Sequence, residues 1–168
     1  PKSVGQIECN FPFKKGAHGK QNESGDPNGS GKTRVMGALY PFGHGLSYTS
    51  FAYANEEVEV EGRGRDVRVR VSCDVTNTGL RDGSEVVQLY VRDVCSSVVT
   101  YDSVLRGFEK VFLKAGERRR VTFTLTAQDF QILAHDMEWI VEPGEFEIRV
   151  GASCEDIRLE KTIFLGSE

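Results

Sequence analysis

From Phe51 onward, apolar residues recur at every second position, and that period decides what the chain can fold into. Val67, Val69, Val71, Cys73 and Val75 alternate with Arg68, Arg70, Ser72 and Asp74. Val87, Leu89 and Val91 alternate with Gln88, Tyr90 and Arg92. Val121, Phe123 and Leu125 alternate with threonines, and Phe146, Ile148 and Val150 with Glu147 and Arg149. Val58 and Val60 alternate with glutamates, and Ile157, Leu159, Ile163 and Leu165 keep one phase. Period two sends successive side chains to opposite faces of a strand. Each segment is therefore a half-buried antiparallel strand, one face in the core and one in water. On this reading Val69 and Leu89 point inward, and Arg68 and Gln88 point outward.

Turn residues fall between the segments: Gly62-Arg63-Gly64, Asn77-Thr78-Gly79, Asp82-Gly83, Ala115-Gly116-Glu117 and Pro143-Gly144. Each supplies a glycine or a short polar side chain where the chain must reverse. With one more strand around Gly107 to Leu113, the total is about seven. Seven short strands, regular turns and no sustained helical period make a two-sheet antiparallel sandwich. The one helical candidate, residues 127–133, is a turn or two linking strands.

Residues 1–38 differ. Gly16 to Lys32 is rich in Gly, Lys, Asn, Ser and Asp without apolar period, which reads as a linker. It is flanked by short apolar pieces, Val4 to Ile7 and Phe11 to Phe13, too small to fold alone. Within the linker, Gly25 to Thr33 approximates a phosphate-binding loop. The pattern needs glycine where Asp26 stands, and an acid there repels phosphate. The required strand and helix are missing from its flanks. Asn22-Glu23-Ser24 and Asn28-Gly29-Ser30 fit the N-glycosylation pattern, which polar loops often meet by chance. The chain starts at Pro1 without methionine and reads as a piece of a longer protein.

The 21 basic and 25 acidic side chains leave a net charge of −4. That balance argues against nucleic acid, whose readers carry a basic stripe. Arg118-Arg119-Arg120 is short, and on a strand its members alternate faces. No apolar run is long enough for a membrane helix. Cys9, Cys73, Cys95 and Cys154 lack metal-type spacing, and no cofactor or metal site is expected. Four free thiols are favoured over a Cys95–Cys154 disulfide. Glu145 with Glu147, and Asp136 with Glu138, are carboxylate pairs roughly 7 Å apart by strand geometry. A solvated strand face carries such pairs routinely, so neither is assigned a catalytic role.

The run Leu39-Tyr40-Pro41-Phe42-Gly43-His44-Gly45-Leu46-Ser47-Tyr48-Thr49-Ser50-Phe51 suits neither helix nor strand. Pro41 removes a donor, and Gly43 and Gly45 open unusual backbone angles. It reads as an ordered, apolar, irregular connection that needs something to pack against. These residues also resemble the start of the C-terminal domain of glycoside hydrolase family 3, the β-glucosidases and β-xylosidases. Val75-Thr76-Asn77-Thr78-Gly79 and Asp82-Gly83-Ser84-Glu85-Val86-Val87-Gln88-Leu89-Tyr90-Val91 resemble that family's next segments. So do Leu105-Arg106-Gly107-Phe108-Glu109-Lys110-Val111, and Glu142-Pro143-Gly144 with Phe146 and Val150-Gly151. Pro1 to Ile7 resembles the end of the preceding catalytic domain.

The resemblance implies an immunoglobulin-like, fibronectin type III-like sandwich over residues 39–168. Residues 1–38 would be a linker and the tail of an α/β catalytic domain. It implies a non-catalytic accessory domain that braces catalytic domains of the same polypeptide and shapes their active-site rim. The parent would be periplasmic or secreted and would meet oligosaccharide through those other domains. Both of the family's catalytic carboxylates lie on domains preceding this one, so no residue here inherits a catalytic role. Tyr40, Phe42, His44 and Tyr48 are the candidate interdomain or rim contacts. In an isolated chain such rings are expected to fold back on the sandwich or bury against a second copy. The competing reading is an autonomous carbohydrate- or protein-binding module, with Tyr90 and Trp139 lining a groove.

Overall fold

The computed structural model describes residues 11–12 and 38–166. The strands are β1 (Phe51–Glu61), β2 (Arg68–Asn77), β3 (Gly83–Asp93), β4 (Val104–Leu113), β5 (Arg118–Thr126), β6 (Ile132–Leu133), β7 (Trp139–Ile140), β8 (Gly144–Gly151) and β9 (Ile157–Leu165). A three-stranded sheet runs β1-β2-β5, and a four-stranded sheet runs β4-β3-β8-β9. All pairings in both are antiparallel. β6 and β7 form a two-residue hairpin beside them. The all-β, two-sheet antiparallel sandwich expected from the alternation is therefore present, in keeping with the fibronectin type III-like fold that the resemblance implies.

The inward phase is the expected one. Val69, Val71 and Val75 of β2, Val87 and Leu89 of β3, and Ile148 of β8 are fully buried between the sheets. Cys73 joins them, and burial pushes its thiol up to about 11, so it behaves as a small apolar side chain. The expected helical candidate is a 3₁₀ turn, Ala127–Asp129, with β6 starting after two further residues. Asp129 accepts hydrogen bonds from the backbone N–H of Thr126 at 2.7 Å and from its hydroxyl at 3.2 Å. This capping box satisfies the donors at the N-terminal end of the turn.

Two departures matter for function. β1 carries a bulge between Ala54 and Glu57, with Asn55 at φ 53°. The extra residue moves the inward phase from Phe51 and Tyr53 to Glu56 and Val58, placing a carboxyl group toward the core. The second departure corrects the alternation. Gln88 and Tyr90, expected on a wet face, are 4% and 0% exposed. The outer face of β3 is covered, and the cover is the irregular segment preceding β1.

Candidate functional site

Residues 38–50 form a strap tied to the sandwich at both ends. At its start, Pro41 accepts a hydrogen bond from the N–H of His44 at 3.0 Å, closing a turn with Gly43 at φ +82°. The Phe42 carbonyl accepts from the N–H of Cys154 at 3.0 Å. The Gly43 carbonyl accepts from the Gln88 side-chain amide at 2.9 Å. The same amide donates to the Ala152 carbonyl at 2.7 Å, and its oxygen accepts from the Tyr90 hydroxyl at 2.5 Å. Gln88 thus satisfies three groups that would otherwise be desolvated. A Cβ at position 43 would run into the Gln88 amide, and the positive φ opposes any side chain besides. Gly45 meets no such neighbour, so its expected backbone role does not arise.

The far end of the strap is fixed by Asn77, which has no exposed surface. Its side-chain oxygen accepts from the Thr49 hydroxyl at 2.6 Å and from the N–H of Gly79 at 3.1 Å. Its amide donates to the carbonyls of Arg81 at 2.8 Å and Leu113 at 3.1 Å. One residue therefore joins the strap, the β2–β3 turn and the end of β4. Gly79 must lack a Cβ because Thr49 occupies that space.

The candidate contacts share this strap but differ in surroundings. Phe42 stacks on Phe11, with ring centroids 4.6 Å apart, and Phe11 meets Tyr90 edge-on at 5.7 Å. Tyr40 stacks on His44 at 5.1 Å. Tyr48 is 93% exposed and touches no other ring in the described residues. Phe42 packs on Phe11, Tyr40 and His44 stack on each other while staying exposed, and Tyr48 and Leu46 stand in solvent.

The other constellations are occupied structurally. Glu147 sits between two arginines: Arg92 reaches both its oxygens at 3.1 Å, and Arg149 reaches one at 2.8 Å. Arg149 also pairs with Glu160 at 2.7 Å, and Arg92 lies 3.5 Å from Asp102. Asp136 accepts from the N–H of Glu138 at 3.3 Å within a turn, so that pair shapes a loop. Tyr90 has no surface to offer a groove with Trp139. Cys73, Cys95 and Cys154 are free thiols. Among the described residues no cluster of His, Cys, Asp and Glu suits a metal ion, and no helix is long and apolar enough to cross a membrane. The phosphate-loop look-alike and both glycosylation patterns lie outside the described residues.

Glu56, turned inward by the β1 bulge, has a buried oxygen with no hydrogen-bond partner. Burial raises its pKa above the usual carboxylate value, Glu160 adds to the rise, and Lys161 opposes it. Because the folded value is raised, the folded state binds the proton more tightly than the unfolded state does. The associated stability is complete below the unfolded value and is lost as pH rises through the folded one. Glu56→Gln removes the desolvated charge and is expected to stabilise the chain at pH 7. Thermal melts across pH check this: the gain should fade as pH drops toward about 4.3.

Residues 85–154 match the sequence family described as a fibronectin type III-like domain. Thermostable β-glucosidase B of Acetivibrio thermocellus is 44% identical over 136 residues, which cover 80% of this chain and 18% of that protein. The chain carries the fibronectin type III-like domain of glycoside hydrolase family 3. A β-xylosidase of Formosa agariphila is 40% identical over 91% of this chain and 20% of its own length. Among solved structures, the Bifidobacterium adolescentis GH3 β-glucosidase superposes with a TM-score of 0.73 at 38% identity, over 77% of this chain and 19% of its own. The Listeria innocua β-glucosidase in complex with glucose gives a TM-score of 0.76 at 32% identity, over 86% of this chain and 20% of its own. The chain thus spans about a fifth of the length of the relatives it matches, and in those relatives the matching region is one part of a larger polypeptide.

Gln88 and Asn77 hold the domain's strap, whereas the sequence pattern places Gln88 on a wet strand face and Asn77 only in a turn. A signal for Gln88 was available. Val86 and Tyr90 make the Val86-to-Val91 run apolar on both phases, as in strands covered on both sides.

Proposed function

We propose that this chain is a non-catalytic accessory domain of a family 3 β-glycosidase. It braces the catalytic domains of the same polypeptide, and its strap forms part of the seam between them. The observation that carries the reading is the strap itself. An irregular aromatic segment is locked at both ends by two buried amides, yet it leaves Tyr48 and Leu46 in solvent. Rigid presentation of apolar side chains is what a docking seam needs, and single-domain surfaces have little use for it. Tyr40, Phe42, His44 and Tyr48 are the proposed seam contacts. The parent's substrates are β-glucosides or β-xylosides, by likeness to the named relatives.

The isolated chain should show no glycosidase activity. A retaining pair needs carboxyl groups about 5 Å apart with a free acid and a free nucleophile. Here Glu147 is held by two arginines. Assays with aryl β-glucoside and aryl β-xyloside should stay at background, and titration with oligosaccharides should be flat. Turnover that Glu145→Gln or Glu147→Gln abolishes would overturn the reading.

A further inference from the structure

The outer face of the four-stranded sheet is covered at one end and bare at the other. At the covered end, Gln88 and Tyr90 lie under the strap and Phe11. One strand outward, β4 is the edge of the sheet. Its outer row carries Phe108, 68% exposed, and Phe112, 53% exposed. Phe108 pairs across with Gln88 and Phe112 with Ser84, while Val86 sits between them opposite Lys110. Val86 is therefore diagonal to both rings and within contact range of long side chains. The three make an apolar triangle on a sheet margin, interrupted by the single charge of Lys110. Two bare phenyl rings on an edge strand are a liability that proteins normally cover or replace.

We infer that this triangle is a second docking surface, and that its occupant is the remainder of the same polypeptide. The inference rests on the accessory-domain reading and adds a face to it. Two observations favour that occupant. Phe11, a residue on the N-terminal side of the strap, is already seated on this face against Phe42 and Tyr90. The strap meets the sheet at Gln88, directly beside Phe108. The chain thus reaches the sandwich on the side where the bare area lies. A second copy fits less well. Isologous pairing of this face would bring the exposed Arg106 and Lys110 of one copy toward those of the other, like charge on like. The complementary surface is apolar at its centre, with carboxylates placed to meet Arg106 and Lys110.

Hydroxyl-radical footprinting of the intact polypeptide against the 168-residue chain tests this. Oxidation of Phe108 and Phe112 should be several-fold slower in the intact polypeptide. The double variant Phe108→Ser with Phe112→Ser should leave melting of the 168-residue chain unchanged and lower that of the intact polypeptide. Protection of Tyr40 and Tyr48 without protection of Phe108 and Phe112 would overturn the inference and leave the strap seam standing. Protection of none of the four would overturn both. Protection in the 168-residue chain that grows with its concentration would assign the face to a second copy instead.

Discussion

Asn77→Ala is expected to destabilise the chain by about 3 kcal/mol or more, the largest effect of any polar substitution in the sandwich. The substitution removes four side-chain hydrogen bonds at a site with no exposed surface. The carbonyls of Arg81 and Leu113 and the N–H of Gly79 then lose their partner. Each orphaned buried group costs about 1–3 kcal/mol, so the sum exceeds that of an ordinary hydrogen bond. Asn77→Asp offers no rescue, because it keeps the acceptor but loses both donors and buries a charge. Thr49→Val removes one donor only and should cost about 1 kcal/mol. Urea unfolding of the three variants checks the ranking. An Asn77→Ala loss below that of Thr49→Val would show that the amide is not the hub.

Gln88→Ala is expected to cost about 2–3 kcal/mol, although simple alternation places residue 88 in water. The amide holds Gly43, Ala152 and Tyr90 together, and alanine leaves two carbonyls and a phenol unpaired beneath the strap. Burial pushes the Tyr90 phenol well above its usual range, so it stays protonated and depends on an acceptor. Arg68→Ala, on the solvated face of β2, should cost less than about 1 kcal/mol. The strap should loosen as well. Backbone exchange at Cys154, whose N–H is bonded to Phe42, should accelerate in Gln88→Ala and stay unchanged in Arg68→Ala. Equal losses for the two variants would mean that the strap does not cover β3.

The fold was legible because the alternation is long and regular in β2, β3, β5 and β8. A strand buried on one face shows itself through side-chain chemistry alone. The seven principal strands and their turns follow from that pattern. The candidate site was legible only as a composition. Leu39 to Phe51 announces an ordered aromatic segment, but its contacts with Gln88 and Asn77 join residues 28 and 45 positions apart. No local period encodes such a bond. Gln88 was misplaced for the same reason: period two assigns a face, and a distant segment decides whether that face is wet. The bulge at Asn55 was equally hidden, since one extra residue shifts Glu56 inward without altering the surrounding composition.

The bracing role is tested most directly in the intact polypeptide carrying Phe42→Ala or Tyr48→Ala, with melting and initial rates measured on the same samples. Phe42 packs on Phe11, whereas Tyr48 contributes nothing visible to the sandwich itself. Both should lower the melting temperature of the intact polypeptide. Tyr48→Ala should leave the 168-residue chain unaffected, because its ring is already in solvent there. Activity should fall in step with the loss of folded enzyme, with KM unchanged. A variant that keeps wild-type melting yet raises KM strongly would contradict the account, because the strap would then be touching substrate.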